Sequence, residues 1–125
     1  MEHLYQRRVQ FADTDAAGVV HFARLLCYVE EAEHDLLKSL NIPLLDDGGW
    51  PRVHVACDYL APAKFGELLT VAISPIRLGA SSILWSFSVA SDDKIVAQGE
   101  MKAVRVDGAG NTRNLEDSWR NALGA

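Results

Sequence analysis

The sequence predicts an α+β domain in which an antiparallel sheet wraps around one long helix. Two observations support this class: a helical period of apolar residues between Val20 and Leu40, and a series of extended segments after it. The connections between these segments are short, which favours antiparallel neighbours. A chain of 125 residues suits a single domain, 1–125, large enough to bury a core.

The first third of the chain predicts a strand, a loop and the long helix. Leu4 to Phe11 alternates roughly between apolar and polar residues, as a strand does, and Ala12 to Gly18 collects turn-forming residues. From about Val20 to Leu40 the apolar residues return at helical spacing. The opposite face of this helix is predicted to be charged, with Arg24, Glu30, Glu31, Glu33, His34, Asp35 and Lys38.

The remainder of the chain predicts four strands and a short terminal helix. Gly99 is expected to mark a bulge or a close approach between strands, and Asp92–Lys94 a hairpin turn. After a loop from Asn41 to Arg52, the predicted elements are strands Val53–Leu60, Leu68–Leu78, Ser81–Ser91 and Ile95–Val106, and a helix at Leu115–Leu123. In the third of these strands Ile83, Trp85, Phe87 and Val89 share one face, as in a core strand.

A sheet that curls around a helix in this way forms the hotdog fold. The outer strand edge and the remaining apolar surface of such a sheet usually need a partner subunit, so we expect a homo-oligomer.

Composition argues against several classes of function. The net charge is −5 and no basic run extends beyond Arg7–Arg8, so no nucleic-acid partner is expected. Cys27 and Cys57 form no metal-binding spacing, so we expect reduced thiols, no metal and no disulfide. No apolar run is long enough to span a bilayer, and the first residues lack an apolar signal region. We therefore expect a cytoplasmic protein without a membrane partner.

Two segments of the sequence resemble a known enzyme family. Residues 11–22 hold an Asp-x-Asp-x-x-Gly loop, two aliphatic residues and an aromatic helix start, and residues 51–67 hold a strand followed by a Pro and a Gly-Glu turn. Together they resemble the 4-hydroxybenzoyl-CoA thioesterase-like hotdog enzymes, over roughly Val9 to Val106. Within that family the loop looks most like that of the 1,4-dihydroxy-2-naphthoyl-CoA thioesterases. The resemblance implies hydrolysis of an acyl-CoA, with an aromatic acyl group, to free acid and CoA without a cofactor, by a dimer or a homotetramer of paired dimers.

Thioester hydrolysis needs a nucleophile or base beside the carbonyl carbon and donors for the developing oxyanion. The resemblance assigns the first role to Asp15 and the second to the backbone N–H of Phe22. Asp15 precedes the helix by one loop turn, so a carboxylate and unpaired helix N–H groups can converge on one carbonyl. The structural alternative for Asp15 is a helix cap or turn residue, and Asp13 is expected to hold the loop through an Asx turn.

Other residues are candidates for binding the substrate. His21 and His54 are placed at the acyl group, although His54 is equally explained as an inward-facing core residue. Glu31 is a reserve catalytic base, because a related hotdog class uses a glutamate on the helix. For the phosphates of CoA the candidates are Arg77, Ser81, Ser82 and Lys64, with Arg105 as a further one.

Four other functions remain compatible with the sequence. The enzyme could act on short or medium-chain acyl-CoA, or on an acyl carrier protein, which would need a basic docking patch. A hotdog hydratase or dehydratase would need a His–carboxylate pair, for which Asp15 and His21 are the only choice. The chain could also be a non-catalytic acyl-binding module, which would not depend on Asp15.

Overall fold

A computed structural model describes residues 1–124 of the chain. A 3-10 turn at Phe11–Asp13 and helix α1 at Phe22–Ser39 follow the first strand. The strands are β1 (His3–Arg8), β2 (Gly48–Gly49), β3 (Arg52–Tyr59), β4 (Leu68–Leu78), β5 (Ser82–Ser91), β6 (Lys94–Val104) and β7 (Val106–Asp107), and helix α2 spans Asp117–Gly124.

Five strands form one antiparallel sheet in the order β1-β4-β5-β6-β3, which confirms the α+β class. Helix α1 packs on one face of this sheet, against β1 and β4. Its buried side includes Val29, Ala32 and Leu36, which meet the inward residues of the central strands. The inward face predicted for β5 is confirmed, because Ile83, Trp85, Phe87 and Val89 are all buried.

Helix α1 begins two residues later than its apolar period predicts. Val20 is still extended: it pairs with Thr14, and its N–H donates to the carbonyl of Ala63 at 2.8 Å. His21 then caps the helix, its Nδ1 accepting the N–H of Ala23 at 3.2 Å. Phe22 is 62% exposed at the first turn, although it begins the apolar stretch of the helix.

The prediction that Glu33 belongs to a charged outer face is wrong. Glu33 is buried against the sheet, where its two carboxylate oxygens accept hydrogen bonds from Arg52 at 2.6 and 2.7 Å. Arg52 lies at the start of β3 and also binds Glu30 at 2.9 Å. An ion pair of this geometry offsets the desolvation of a buried carboxylate, so a charged residue is compatible with an inward position.

The last long strand ends earlier than predicted, at Val104 rather than Val106. At Arg105 the chain leaves the sheet, its N–H donating to Ser81, and Val106–Asp107 pairs instead with Gly48–Gly49 inside the predicted loop. Gly99 is a close approach, as expected, because a Cβ there would clash with the carbonyl oxygen of Ala56. Helix α2 begins at Asp117, two residues after the predicted start.

Candidate active site

The loop between β1 and α1 is closed by backbone hydrogen bonds. The N–H of Asp15 donates to Val19 at 2.8 Å, and the N–H of Gly18 donates back to Asp15 at 3.0 Å. Gly18 has a φ of +75°, a conformation that is energetically unfavourable for residues with a Cβ. The loop is tied to the segment before β4, because Phe65 donates to the carbonyl of Gly18 at 3.0 Å. Asp15 is therefore held at the tip of a tight, anchored turn.

The side chain of Asp15 makes the Asx turn that the sequence predicted for Asp13. Its Oδ1 accepts the N–H of Ala17 at 2.8 Å and of Val19 at 3.3 Å. Within residues 1–124, Oδ2 receives no hydrogen bond. One oxygen thus fixes the orientation of the carboxylate while the other stays available.

Asp13 has a different structural role, as a buried anion beneath the loop. Its Oδ2 accepts the hydroxyl of Tyr28, on α1, at 2.5 Å and lies 3.5 Å from the guanidinium of Arg7. Arg24 lies 3.7 Å from the other oxygen. Asp13 was expected to be structural through an Asx turn; the structure gives it contacts to β1 and α1 instead.

Helix α1 points its first free N–H group towards the same region. In the part of the chain that the structure describes, the N–H of Phe22 has no acceptor, as is usual in the first turn of a helix. The Nδ1 of His21 must be unprotonated to accept from Ala23, so the ring proton of neutral His21 is on Nε2. His21 therefore offers an Nε2–H donor beside the free N–H of Phe22.

Asp15, His21 and Phe22 line one open cavity of about 440 Å³. This volume lies within the range of small-molecule sites. The rest of the wall is mostly apolar and comes from the loop, α1, the end of β3 with the segment after it, and β6: Val19, Val20, Leu25, Tyr59, Leu60, Ala61, Pro62, Ala63 and Val96. A carboxylate, an imidazole and the first residue of a helix thus line one largely apolar site, a combination suited to acyl transfer.

Tyr59 belongs to this site and was missed by the sequence interpretation. Its hydroxyl donates to the carbonyl of Phe22 at 3.0 Å, and its ring meets the Phe22 ring edge-on at 6.4 Å. Tyr59 thereby fastens the first turn of α1 to β3. Strand alternation was the available signal, because Val55 and Tyr59 lie on the same side of β3.

His54 is not brought to this cavity. Its Nε2 lies 3.2 Å from Glu100, and the His54 ring is half exposed on the sheet face away from α1. A register shift between Arg52 and His54 inserts one residue into β3 and turns His54 outward. The expectation that His54 faces inward is wrong, and within one chain it cannot contact a substrate at Asp15.

The candidate phosphate-binding residues separate into two places. Lys64 is exposed and pairs with Val19, so it lies beside the Asp15 loop. Arg77 lies at the opposite end of β4, Ser81 lies in the turn that follows, and Ser82 begins β5. Ten residues of strand separate that end from the loop, roughly 30 Å.

Two further candidates have structural partners. The carboxylate of Glu31 accepts the Tyr5 hydroxyl at 2.8 Å and the Nε of Arg7 at 2.9 Å. Arg105 is buried, donating to the carbonyl of Asn114 at 2.8 Å and stacking over Trp119 at 4.1 Å. Both side chains thus make hydrogen bonds or stacking contacts with other parts of the chain, and neither lines the cavity.

Neither a metal cluster nor a membrane-crossing helix occurs in the described residues. Across residues 1–124, no three potential metal ligands come together. None of the helices in that range is long and apolar enough to cross a bilayer.

The fold and this site define a thioesterase of the hotdog type, as the sequence predicted. Residues 17–98 match the Thioesterase superfamily, and the chain belongs to that family. The match covers the helix and most of the sheet but begins after Asp15, so the role of that carboxylate depends on its geometry.

Relatives and solved structures agree with this assignment. A 1,4-dihydroxy-2-naphthoyl-CoA hydrolase from Nostoc punctiforme is 31% identical, over 100% of this chain and 94% of its own. The crystal structure of a 1,4-dihydroxy-2-naphthoyl-CoA thioesterase from Synechocystis superposes with a TM-score of 0.89 at 26% identity, covering 99% of this chain and 96% of the other. A gentisyl-coenzyme A thioesterase superposes with a TM-score of 0.86 at 28% identity, covering 98% and 99%.

Proposed function

We propose that this thioesterase hydrolyses an aromatic acyl-CoA, of the 1,4-dihydroxy-2-naphthoyl or hydroxybenzoyl type, through Asp15. The observation that carries the proposal is that Asp15, which has a free carboxylate oxygen, and Phe22, which has a free N–H, line the same apolar cavity. The activities of the relatives from Nostoc punctiforme and Synechocystis support the aromatic acyl group.

Asp15 supplies the reactive oxygen by one of two routes. In the first, Oδ2 attacks the thioester carbon, CoA leaves as its thiolate, and water then hydrolyses the acyl anhydride. In the second, Oδ2 takes a proton from water, whose oxygen attacks the same carbon. Both routes release a carboxylic acid and CoA, and both use the oxygen that the Asx turn leaves free.

The N–H of Phe22 stabilises the oxyanion in either route. It lies at the positive end of an 18-residue helix, where the N–H groups of the first turn favour negative charge. A preorganised backbone donor of this kind is a major source of rate acceleration in acyl transfer. The Nε2–H of His21 is a second donor in the cavity, for the thioester oxygen or an aryl hydroxyl.

A homodimer would complete the substrate site. Strand β3 lies at one edge of the sheet and exposes Val53, Val55 and Tyr59, an apolar edge that favours pairing with a second copy. Antiparallel pairing of two β3 strands sets the Arg52 end of the partner beside Tyr59.

That arrangement also brings the separated phosphate-binding candidates to the reaction site. Through the pairs Arg52–Ala103, Ile83–Ala103 and Leu78–Ile83, the β4–β5 turn lies at the Arg52 end of the sheet. Arg77, Ser81 and Ser82 of a second copy would then lie at the same end as Asp15, roughly 15 Å to the side. Lys64 would meet the phosphates from the chain that supplies Asp15.

A panel of CoA thioesters tests the proposal, with release of free thiol as the readout. We expect 1,4-dihydroxy-2-naphthoyl-CoA or 4-hydroxybenzoyl-CoA to give the highest kcat/KM, with acetyl-, hexanoyl- and palmitoyl-CoA well below. A higher kcat/KM for an aliphatic ester, or for the same acyl group on a carrier protein, would contradict the aromatic-CoA assignment. Hydration of an enoyl-CoA without thiol release would indicate a hydratase instead.

A further inference from the structure

The buried carboxylate of Asp13 connects three elements beneath the reactive loop. It receives the hydroxyl of Tyr28 from the second turn of α1, and it lies within reach of Arg7 on β1. Asp13 is 6% exposed and Tyr28 is 1% exposed, so water does not replace these contacts. Leaving a buried carboxylate without a hydrogen-bond donor costs free energy. The position of Asp13 beside these donors is therefore strongly favoured.

The backbone of Asp13 links this anion to both halves of the catalytic pair. Asp13 lies two residues before Asp15, and its carbonyl accepts the N–H of His21 at 2.9 Å. His21 directly precedes Phe22, whose N–H is the oxyanion donor of the proposed reaction. A shift of Asp13 therefore moves the carboxylate and the oxyanion donor relative to each other.

We propose that Tyr28 is a positioning residue, which sets the distance between Asp15 and the N–H of Phe22 by holding Asp13. This inference rests on the proposed function for its kinetic consequence, whereas its structural consequence, a fixed loop, is independent of the substrate. The Tyr28 hydroxyl is the nearest donor to Asp13, at 2.5 Å against 3.5 Å for Arg7 and 3.7 Å for Arg24.

The chemical state of Tyr28 suits this role. Burial and the neighbouring Asp13 raise the pKa of the Tyr28 phenol to about 12. The hydroxyl thus keeps its proton throughout the neutral and mildly alkaline range, and remains a donor to Asp13. The guanidinium of Arg7 lies 4.7 Å from the centre of the Tyr28 ring, a cation–π contact that restrains the ring.

The same cluster provides a matched control. Tyr5 also donates its hydroxyl to a carboxylate, that of Glu31, at 2.8 Å, and Glu31 keeps its hydrogen bond from Arg7 when that hydroxyl is removed. Tyr28→Phe and Tyr5→Phe each remove one hydroxyl–carboxylate hydrogen bond and keep the ring. Only Tyr28→Phe should affect the geometry of the reactive loop.

Two measurements on the full-length variants test the proposal, after circular dichroism has shown that both are folded. The first is steady-state hydrolysis of the best CoA thioester: in Tyr28→Phe we expect kcat to fall about tenfold or more, because small misplacements of reacting groups are costly, with KM within about twofold of the wild type. Tyr5→Phe should keep kcat within about twofold.

The second measurement is amide hydrogen exchange of Val19 and His21, whose N–H groups are bonded inside the loop. In Tyr28→Phe we expect faster exchange at both amides, and in Tyr5→Phe the wild-type rates. Unchanged exchange, or equal effects of the two variants on kcat, would overturn the positioning role. Amide exchange needs no substrate. If Tyr28→Phe exchanged faster but the wild type hydrolysed no thioester, the proposed function would be contradicted, whereas the role of Tyr28 in holding the loop would be supported.

Discussion

The carbonyl of Asp13 accepts the N–H of His21 at 2.9 Å, which closes the loop between β1 and α1 at its base. The carboxylate and the two hydrogen-bond donors of the proposed reaction lie on or just beyond this loop. Asp15 is at the tip, and Phe22 follows the closing residue. The geometry of the loop therefore determines the geometry of the reaction, and several consequences can be measured.

Replacing Gly18 with alanine should destabilise the loop without creating a clash. A Cβ at Gly18 would meet no atom within 4 Å, but its φ of +75° disfavours any residue that has a Cβ. We expect a loss of about 1–2 kcal/mol in the free energy of unfolding, together with a lower kcat. Urea denaturation and thioesterase assays measure the two effects.

Gly49→Ala is the matched control for this substitution. A Cβ at Gly49 also meets open space, and no left-handed φ is needed there. We expect a change of less than about 0.5 kcal/mol, as for ordinary surface substitutions. Equal losses in the two variants would show that loop conformation is not the cause.

Removing Arg52 should destabilise the domain strongly, because it leaves Glu33 charged and without its main partner. The Glu33 side chain is only 2% exposed. We expect Arg52→Met to cost about 3–5 kcal/mol in the free energy of unfolding. The exposed Lys38→Met on the same helix should change it little.

The double variant Arg52→Met/Glu33→Met distinguishes two causes of the lost stability: the missing ion pair and the unpaired buried carboxylate of Glu33. With both charges gone, most of the stability should return, because apolar side chains of similar volume replace buried ion pairs well. A double variant as unstable as Arg52→Met alone would show that the ion pair itself, rather than the uncompensated carboxylate, controls stability.

The stability of the wild type should fall at high pH through Tyr28. Its folded-state pKa is about 12, above the ordinary value of 10.0, so the folded protein holds this proton more tightly than the unfolded chain. The contribution is complete below about pH 10 and is lost as the pH rises towards 12. Thermal unfolding between pH 9 and pH 12 should show a smaller loss in Tyr28→Phe than in the wild type. Parallel curves for the two proteins would contradict this.

A lysine on the outer strand should prevent the proposed dimer. Val55 is 43% exposed near the middle of β3, where a two-fold pairing would bury it against its copy. We expect Val55→Lys to sediment as a monomer and to lose most turnover, since charged residues on an edge discourage strand pairing. Phe65→Lys, at an apolar position off β3 that is 55% exposed, should keep the mass of the wild type. A wild type that is active as a monomer would contradict the proposal that a second copy completes the substrate site.

The sequence predicted the elements whose patterns are local. The predicted bounds of β4 agree with the structure, and Leu69, Val71 and Ile73 alternate inward along the first half of the strand. The early start of α1 was wrong because Val20 is held extended by Ala63, a contact 43 positions away in the chain. Apolar periodicity carries no information about such a partner.

The candidate site was predicted in part for the same reason. Asp15, His21 and Phe22, which line one cavity in the structure, could be named as candidates because they lie within one short segment that resembles a known loop. The outward turn of His54 depends on a one-residue register shift in β3, and the burial of Glu33 depends on Arg52. Both are tertiary features without a signature in the local sequence.

The measurement that tests the central claim most directly is the turnover of Asp15→Asn beside that of Asp93→Asn, an exposed aspartate in the β5–β6 turn. Asparagine keeps the oxygen that accepts from Ala17 and removes only the reactive charge. The account predicts a loss in kcat of roughly 10²–10⁴-fold for Asp15→Asn, with the melting temperature and the affinity for a non-hydrolysable CoA thioether unchanged, and full activity for Asp93→Asn. A folded Asp15→Asn variant with kcat near the wild-type value would contradict it.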